Sequence, residues 1–508
     1  MSNYTHTWSV VVLGATGHVV RVEAKRARSL PGFTVIGLPD SALRAASHRV
    51  GAAISSGALP FPSGHLTVNL APASLKKAGT GFDLAIAVAA IATASAKCRN
   101  IARECVYLGE CGLDGTIHPV TGVLPGVIAA VEQGKPRVVV PIQNLEEASL
   151  VPGARPIGVR NFGDLANHLG IEPAREVVYP DSEPLAMPAK TSLDAIDMAE
   201  VYGQFEGRLA LEVAAAGGHN IFFLGTPGSG KTMLAKRLPT IMPPLSEKEA
   251  IETTAIHSVA GTLDPSEGLI YAPPFIAPHH NASMAAMIGG GSGLARPGAI
   301  SLAHNGVLFL DEAPEFAPSV LDALRQPIES GSLTIHRSLG AVTLPAKFQL
   351  IMAANPCPCG YAGDTSGRCV CTPYQRRRYL TRLSGPLLDR MDIHVDMAPP
   401  KPGTLAGPAP ESSASIRPRI EAARQVQRER SGCLNAFLKG PVLRKFVSAK
   451  QNLKLDELVE QSVITMRGKD RILRVARTLA DLAGRDNLEA DDIAKAFILR
   501  TRNGGQNG

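Results

Sequence analysis

No run of about 18 uninterrupted apolar residues occurs anywhere in the chain, which excludes an apolar membrane-spanning helix. The opening stretch "MSNYTHTWSVVVLGATG" lacks the basic segment and the long apolar segment of a secretory leader. The chain is therefore expected in the cytoplasm, where thiols stay reduced. Aromatic residues are scarce, at 5%, and cysteines number only eight. Cys98, Cys105, Cys111 and Cys433 are scattered, as small core residues would be. No strong charge of one sign is present: a formal +7 and a pI near 9 permit a polyanionic partner without requiring one. What is present is 45% hydrophobic residues, 19% charged, 49 glycines and 39 prolines. That describes a folded, turn-rich protein, and 508 residues suffice for about two to four domains.

Residues 1–170 alternate short apolar runs with helical patterns. "HLTVNLAP" (His65–Pro72) and "PRVVVPIQN" (Pro136–Asn144) read as strands, and "GFDLAIAVAAIATA" (Gly81–Ala94) and "VLPGVIAAVEQG" (Val123–Gly134) as helices. Strands alternating with helices point to an α/β or α+β domain. A proline-rich, aperiodic stretch at 171–192 reads as a linker. A second α/β region spans 193–399, followed by a Pro/Gly/Ser-rich connector at 400–415. Residues 416–502 are helical in pattern, and 503–508 form a tail expected to be disordered.

The second region carries the chemistry. "NIFFLGTPGSGKTMLAKRL" is an apolar strand, a glycine-rich loop and a helix. The loop fits G-x-x-x-x-G-K-[ST] through Gly225, Thr226, Pro227, Gly228, Ser229, Gly230, Lys231 and Thr232. Its backbone N–H groups would wrap the phosphates of ATP at a helix N-terminus. Lys231 would reach the β- and γ-phosphates and Thr232 the Mg²⁺. In "GVLFLDE" (Gly306–Glu312), Asp311 would hold Mg²⁺ through water and Glu312 would polarise the attacking water. "FQLIMAAN" ends on Asn355, placed to orient the same water. "SGPLLDRMDI" puts Arg390 on a short helix, and "RILRVARTLADL" puts Arg471, Arg474 and Arg477 on a later one. Arginine suits such positions because its fixed charge spreads over transferring phosphate oxygens.

Directly after Asn355 comes "PCPCGYAGDTSGRCVC". Cys357, Cys359, Cys369 and Cys371 provide four soft ligands on two short arms, enough for a tetrahedral zinc site. Reduced structural thiols or a redox pair are the alternatives. "YQRRRYLTR" follows, with Arg376, Arg377 and Arg378 between tyrosines, a composition suited to nucleic acid. "SLTIHRSLGAVTLPAK" (Ser332–Lys347) reads as a hairpin with Arg337 near its turn and Lys347 at its base. "IGGGSGLARPG" (Ile288–Gly298) is too glycine-rich for a helix interior and holds Arg296 near its tip. The adjacent His279 and His280 are expected to serve hydrogen bonding or structure, because neighbours cannot easily face one metal.

The order P-loop, "LFLDE", strand-end asparagine, "LLDR", helical arginine resembles an AAA+ ATPase. "AAAGGHNIFFLGTPGSGKTMLAKRLPTIMPPL", "APHHNASMAAMIGGG", "ISLAHNGVLFLDEAPEF", "LRQPIESGSLTIHR" and "NPCPCGY" resemble the ComM/YifB family of Mg-chelatase-like proteins over nearly the whole chain. The resemblance implies a homo-hexameric ring with ATP between subunits, Arg390 as a finger donated to the neighbour, and Arg474, or alternatively Arg471, as a second sensor. It further implies that the glycine-rich segment is a helix-2 insert and that the hairpin precedes the first sensor and faces the pore. The N-terminal domain resembles a Lon-protease-like domain in which Gly81 and about Gly126 replace the nucleophile and the lysine, so it would be non-proteolytic. The implied function is an ATP-driven helicase or branch-migration motor on single-stranded and branched DNA, supporting homologous recombination during natural transformation, with recombination proteins as possible partners. A magnesium-chelatase motor subunit and an ATP-dependent protease are the alternatives.

Overall fold

The computed structural model describes residues 3–37, 40–61, 63–75, 77, 79–179, 196–290, 296–337, 340–363, 367–399 and 409–501. Most of the residues read as the 171–192 linker and the 400–415 connector, and the whole 503–508 tail, lie outside them.

Two large sheets organise the chain. The first has seven strands, in the spatial order Gly32–Ile36, His65–Ala71, Thr16–Ala27, Tyr4–Leu13, Val106–Tyr107, Arg137–Pro141 and Arg155–Val159. Tyr4–Leu13 and Thr16–Ala27 form a long antiparallel hairpin, while the last three strands run parallel to Tyr4–Leu13. Helix Asp83–Ala92 is apolar except for its first residue and is buried on every side, so it forms the centre of the core on one face. The other face is covered at one end by helix Val123–Glu132. That helix approaches closely at Gly17, where a Cβ would lie 2.3 Å from the Pro125 carbonyl oxygen.

The second sheet is entirely parallel: Phe275–Ile276, Val307–Leu310, Gln349–Ala354, Ile221–Gly225, Ile393–Met397. Every residue of Val307–Leu310 and Gln349–Ala354 is buried, so both faces are covered and only the strand ends remain for chemistry. Helices Ser413–Ser431, Ala449–Glu460, Met466–Leu482 and Ala490–Ile498 follow. The first starts inside the stretch read as connector. Ser412 accepts a hydrogen bond from the Ser415 N–H and caps the helix, so the serines are a start signal rather than loop. Among the described residues no helix is long and apolar enough to cross a membrane.

The two sheet units meet through helix Glu247–Ala260, which packs on Val123–Glu132. Ser258 donates to the buried Glu147 carboxylate, which also accepts from the Leu124 N–H at 2.9 Å. Burial pushes Glu147 up, and these donors oppose it. A cavity of about 580 Å³ lies between the units.

Candidate nucleotide site and cysteine cluster

Strand Ile221–Gly225 ends in the glycine-rich loop, and helix Lys231–Ile241 follows it. Gly228 and Gly230 have φ of +78° and +93°, the left-handed region that glycine enters without strain. The Lys231 ammonium donates to the Gly225 carbonyl at 2.6 Å, the Thr226 carbonyl at 3.0 Å and Asn355 Oδ1 at 3.1 Å. Burial pushes its pKa down, while Asp311 and Glu312 pull it up. These acceptors are ones a bound phosphate would replace. The Thr232 hydroxyl donates to Asp311 Oδ2 at 2.7 Å, so two hard oxygen ligands converge beside the lysine. That donor set fits Mg²⁺, which prefers oxygen.

Asn355 and Asp311 leave adjacent parallel strands at the same edge of the sheet. Glu312 has φ of +50°, an unusual value for a side chain of its size and a form of strain that clusters at functional positions. His280 Nδ1 lies 3.6 Å from Glu312 Oε2. The sequence showed the two adjacent histidines but not this partner. Only the pairing of strand Phe275–Ile276 with Val307–Leu310 brings the segments together.

The four cysteines Cys357, Cys359, Cys369 and Cys371 converge, with their Sγ atoms all within 4.8 Å of one another. Three of the separations are 3.3, 3.7 and 3.6 Å. Ligands at the ~2.3 Å Zn–S distance of a tetrahedral site stand about 3.8 Å apart, so the cluster fits such an ion. The backbone N–H of Tyr361 holds the Cys359 thiol down to about 6, and burial pushes Cys357 up to about 11. The cluster also touches the nucleotide loop. A Cβ on Gly360, at φ +87°, would lie 2.6 Å from Pro227 Cγ.

Arg376 donates to the Cys371 carbonyl at 3.2 Å, so it turns towards the cluster, whereas Arg377 and Arg378 are exposed. Further along, Arg382 donates to the Pro314 carbonyl and to Glu315, just beyond Asp311 and Glu312. The expected hairpin forms, pairing Ser332–Arg337 with Gly340–Pro345. The Arg337 side chain lies outside the described residues. Lys347 is exposed at the base, and the second strand rests against Gly14 of the first sheet unit, whose Cβ would lie 2.9 Å from the Thr343 carbonyl oxygen. Arg296 is exposed on the short strand Arg296–Pro297, beside a tip that lies outside the described residues.

The arginines sit elsewhere. Arg390 pairs with Glu329, donates to the Pro386 carbonyl at 2.7 Å and is 12% exposed. Arg471 pairs with Asp392, and Arg474 donates to the Leu438 carbonyl at 2.9 Å. Asp392 and its neighbour His219 precede the paired residues Ile393 and Ile221. These arginines therefore lie towards the strands' N-terminal ends, whereas the glycine-rich loop follows Gly225 at the opposite end. The structure thus places Arg474 away from the P-loop of its own chain. Arg477, fully buried against Asp481 and two carbonyls, is core.

In the N-terminal unit, Gly81 has only Val120 within 4.0 Å of a Cβ, and Gly126 packs on Leu108 and Val10. The nearby Thr80 hydroxyl donates to Glu110. The buried Lys77 donates instead to the Pro72 and Leu75 carbonyls, so no hydroxyl–lysine pair forms here.

Comparison with known proteins matches three family profiles in succession. "Subunit ChlI of Mg-chelatase" covers residues 22–144, "Magnesium chelatase, subunit ChlI" residues 197–405, and "Magnesium chelatase, subunit ChlI C-terminal" residues 410–500. An uncharacterised protein of Mycobacterium tuberculosis is 45% identical over 503 residues, covering 97% of this chain and 98% of its own. The uncharacterised protein YifB of Escherichia coli is 38% identical over 493 residues, covering 96% and 95%. Competence protein ComM of Haemophilus influenzae is 37% identical over 501 residues, covering 97% and 96%. With the phosphate loop, the Asp–Glu strand and the cysteine cluster all in place, the chain belongs to the Mg-chelatase-like AAA+ family that includes YifB and ComM.

Proposed function

We propose that the protein is an ATP-hydrolysing motor that works on DNA in the cytoplasm as a homo-hexameric ring, remodelling single-stranded and branched DNA during homologous recombination. The family membership suggests ATP and Mg²⁺ as cofactors and ATPase activity. The observation that carries the reading is the constellation of Lys231, Thr232, Asp311 and Asn355 at one sheet edge, with Glu312 beside them.

In this reading the loop amides and Lys231 hold the phosphates, and Thr232 with Asp311 holds Mg²⁺. ATP and Mg²⁺ when bound supply the transferable phosphoryl group and its charge clamp. Glu312 accepts the proton of the attacking water while Asn355 orients that water. His280 holds the Glu312 carboxylate. Arg390 and Arg474 stand away from their own loop, which suits donation to a neighbouring subunit's nucleotide. The cysteine cluster with zinc forms a stiff link between Pro227, Asn355 and the exposed Arg377 and Arg378. Arg296, Arg337 and Lys347 line the DNA path as the insert and the hairpin before the first sensor. The N-terminal unit is a Lon-like fold without proteolytic chemistry. The resemblance to a competence protein supports a role in natural transformation.

A magnesium-chelatase-type motor is the second reading, favoured by the profile descriptions. ATP turnover measured with forked or four-way DNA, with a porphyrin and with casein separates the readings. Stimulation by DNA alone is expected. Stimulation by porphyrin alone makes the protein a chelatase motor, and cleavage of casein restores the protease.

A further inference from the structure

Strand Tyr4–Leu13 is built inside out. Thr5, Thr7 and Ser9 face the core and are fully buried, whereas Tyr4, His6 and Trp8 point the other way and stay partly exposed. A half-covered strand ordinarily buries its rings and shows its hydroxyls. Two of the three buried hydroxyls have acceptors, Thr7 donating to the Ala102 carbonyl at 2.5 Å and Ser9 to the Tyr107 carbonyl at 2.9 Å, while the Thr5 hydroxyl has no partner among the described residues. The fold accommodates polar groups inside so that rings line the outside.

The outward face is also continuous and preorganised. Antiparallel pairing sets Tyr4 opposite Lys25, His6 opposite Glu23 and Trp8 opposite Arg21. The ring centroids of Tyr4 and His6 are 6.4 Å apart and those of His6 and Trp8 5.6 Å apart. Arg21 donates to the Tyr4 hydroxyl at 2.7 Å, and Tyr4 donates to Glu23 at 3.0 Å. Asn69 on the next strand donates to the same carboxylate at 3.2 Å, so Glu23 is tied up by its neighbours. The Lys135 ammonium lies 3.9 Å over the Trp8 ring. Helix Val123–Glu132 covers the Val10 and Val19 end of this face. Trp8 packs at the margin of that apolar cluster and its indole N–H donates to the Arg103 carbonyl at 3.0 Å, while Tyr4 and His6 extend beyond it. Around His6 the cations Arg21, Arg103 and Lys135 outnumber the Glu23 carboxylate; burial first, and then these cations, lower the His6 pKa.

We infer that this sheet face is a binding platform for single-stranded nucleic acid, with bases stacking on Trp8, His6 and Tyr4 and phosphates held by Arg21, Lys25 and Lys135. A row of rings at strand spacing accepts successive bases whatever their identity, and flanking cations track the backbone. Lys135, now over Trp8, moves to a phosphate as a base takes its place on the indole. The inference deepens the DNA-motor reading and rests on it only for the choice of polyanion. It gives the N-terminal unit a task separate from the ATP site.

The chain contains one tryptophan, Trp8, so its fluorescence reports on this face alone. Full-length protein is titrated with a short oligothymidylate while tryptophan emission and oligonucleotide anisotropy are both followed. Saturable quenching that tracks the anisotropy is expected. Trp8→Ala weakens binding about tenfold and Trp8→Phe largely restores it. Lys25→Glu with Lys135→Glu lowers the salt slope of binding by about two. The charge-reversed and Trp8→Phe proteins retain the wild-type melting temperature, which separates lost binding from lost folding. Anisotropy rising with unchanged emission, and unaltered affinity of the charge-reversed protein, overturns the platform while leaving the motor intact. Emission that changes with protein concentration alone, with variants that shift the oligomer distribution, makes the face a contact between subunits and also overturns it. Loss of all DNA stimulation of ATP turnover removes the motor reading as well.

Discussion

The chain's two sheets present themselves to solvent in opposite ways. The parallel sheet is covered on both faces, and its candidate chemistry gathers where Gly225, Asp311 and Asn355 leave the strands. The mixed N-terminal sheet instead shows part of a face, with rings and cations at strand spacing. An edge brings few groups into register for bond-making, whereas a face spreads many groups for contact along a polymer. Changes at the edge should therefore alter turnover, and changes on the face should alter binding.

The largest effect tests the edge. Lys231→Ala should lower ATP turnover by at least about a hundredfold, measured by phosphate release, because it removes the charge aimed at the phosphates. Next comes the floor beneath that edge. Asp392 is buried; burial raises its pKa, but Arg471 and His219 more than offset this and hold the carboxyl well below the usual range. Asp392→Ala should cost about 3 kcal/mol in denaturant unfolding by stranding Arg471. Because the folded value is depressed, this contribution is complete above the ordinary value of 3.8 and is lost as pH falls below it. Wild-type protein should therefore lose stability on acidification over that range more steeply than Asp392→Ala.

Gly360→Ala sharpens the comparison further. The added methyl meets Pro227 from a left-handed backbone position, so ATP turnover should fall about tenfold with little loss of DNA affinity. The cysteine cluster should hold about one zinc per chain by metal analysis. Cys357→Ser with Cys359→Ser should lower DNA-stimulated turnover several-fold more than basal turnover. Equal loss of both would make the cluster a purely structural clamp. The smallest effect belongs to the face: Lys25→Glu should leave unfolding free energy within about 0.5 kcal/mol of wild type, and DNA-free turnover unchanged.

The nucleotide edge was legible because each part of it is local. An apolar run, a glycine-rich loop and a lysine at fixed spacing specify strand, turn and helix without distant contacts. The four cysteines were legible for the same reason. Other features depend on packing between distant segments. His280 meets Glu312 only because two strands pair across the second sheet, and Gly360 meets Pro227 only after the cysteine loop folds back. Arg474 stood out by the order of motifs, whereas the packing of its helix towards the N-terminal ends of the strands, away from its own chain's loop, shows only in the folded chain. The N-terminal strand hid its outward rings because alternation names two faces without saying which is buried.

The account's central claim is that ATP turnover at the strand edge drives work on DNA. ATP-dependent migration or unwinding of defined four-way and forked DNA, measured for the intact chain and for Lys231→Ala, tests it most directly. The account predicts strand exchange or separation that requires ATP and disappears in Lys231→Ala. Undiminished DNA processing by Lys231→Ala, or ATP turnover without any DNA processing, would contradict it.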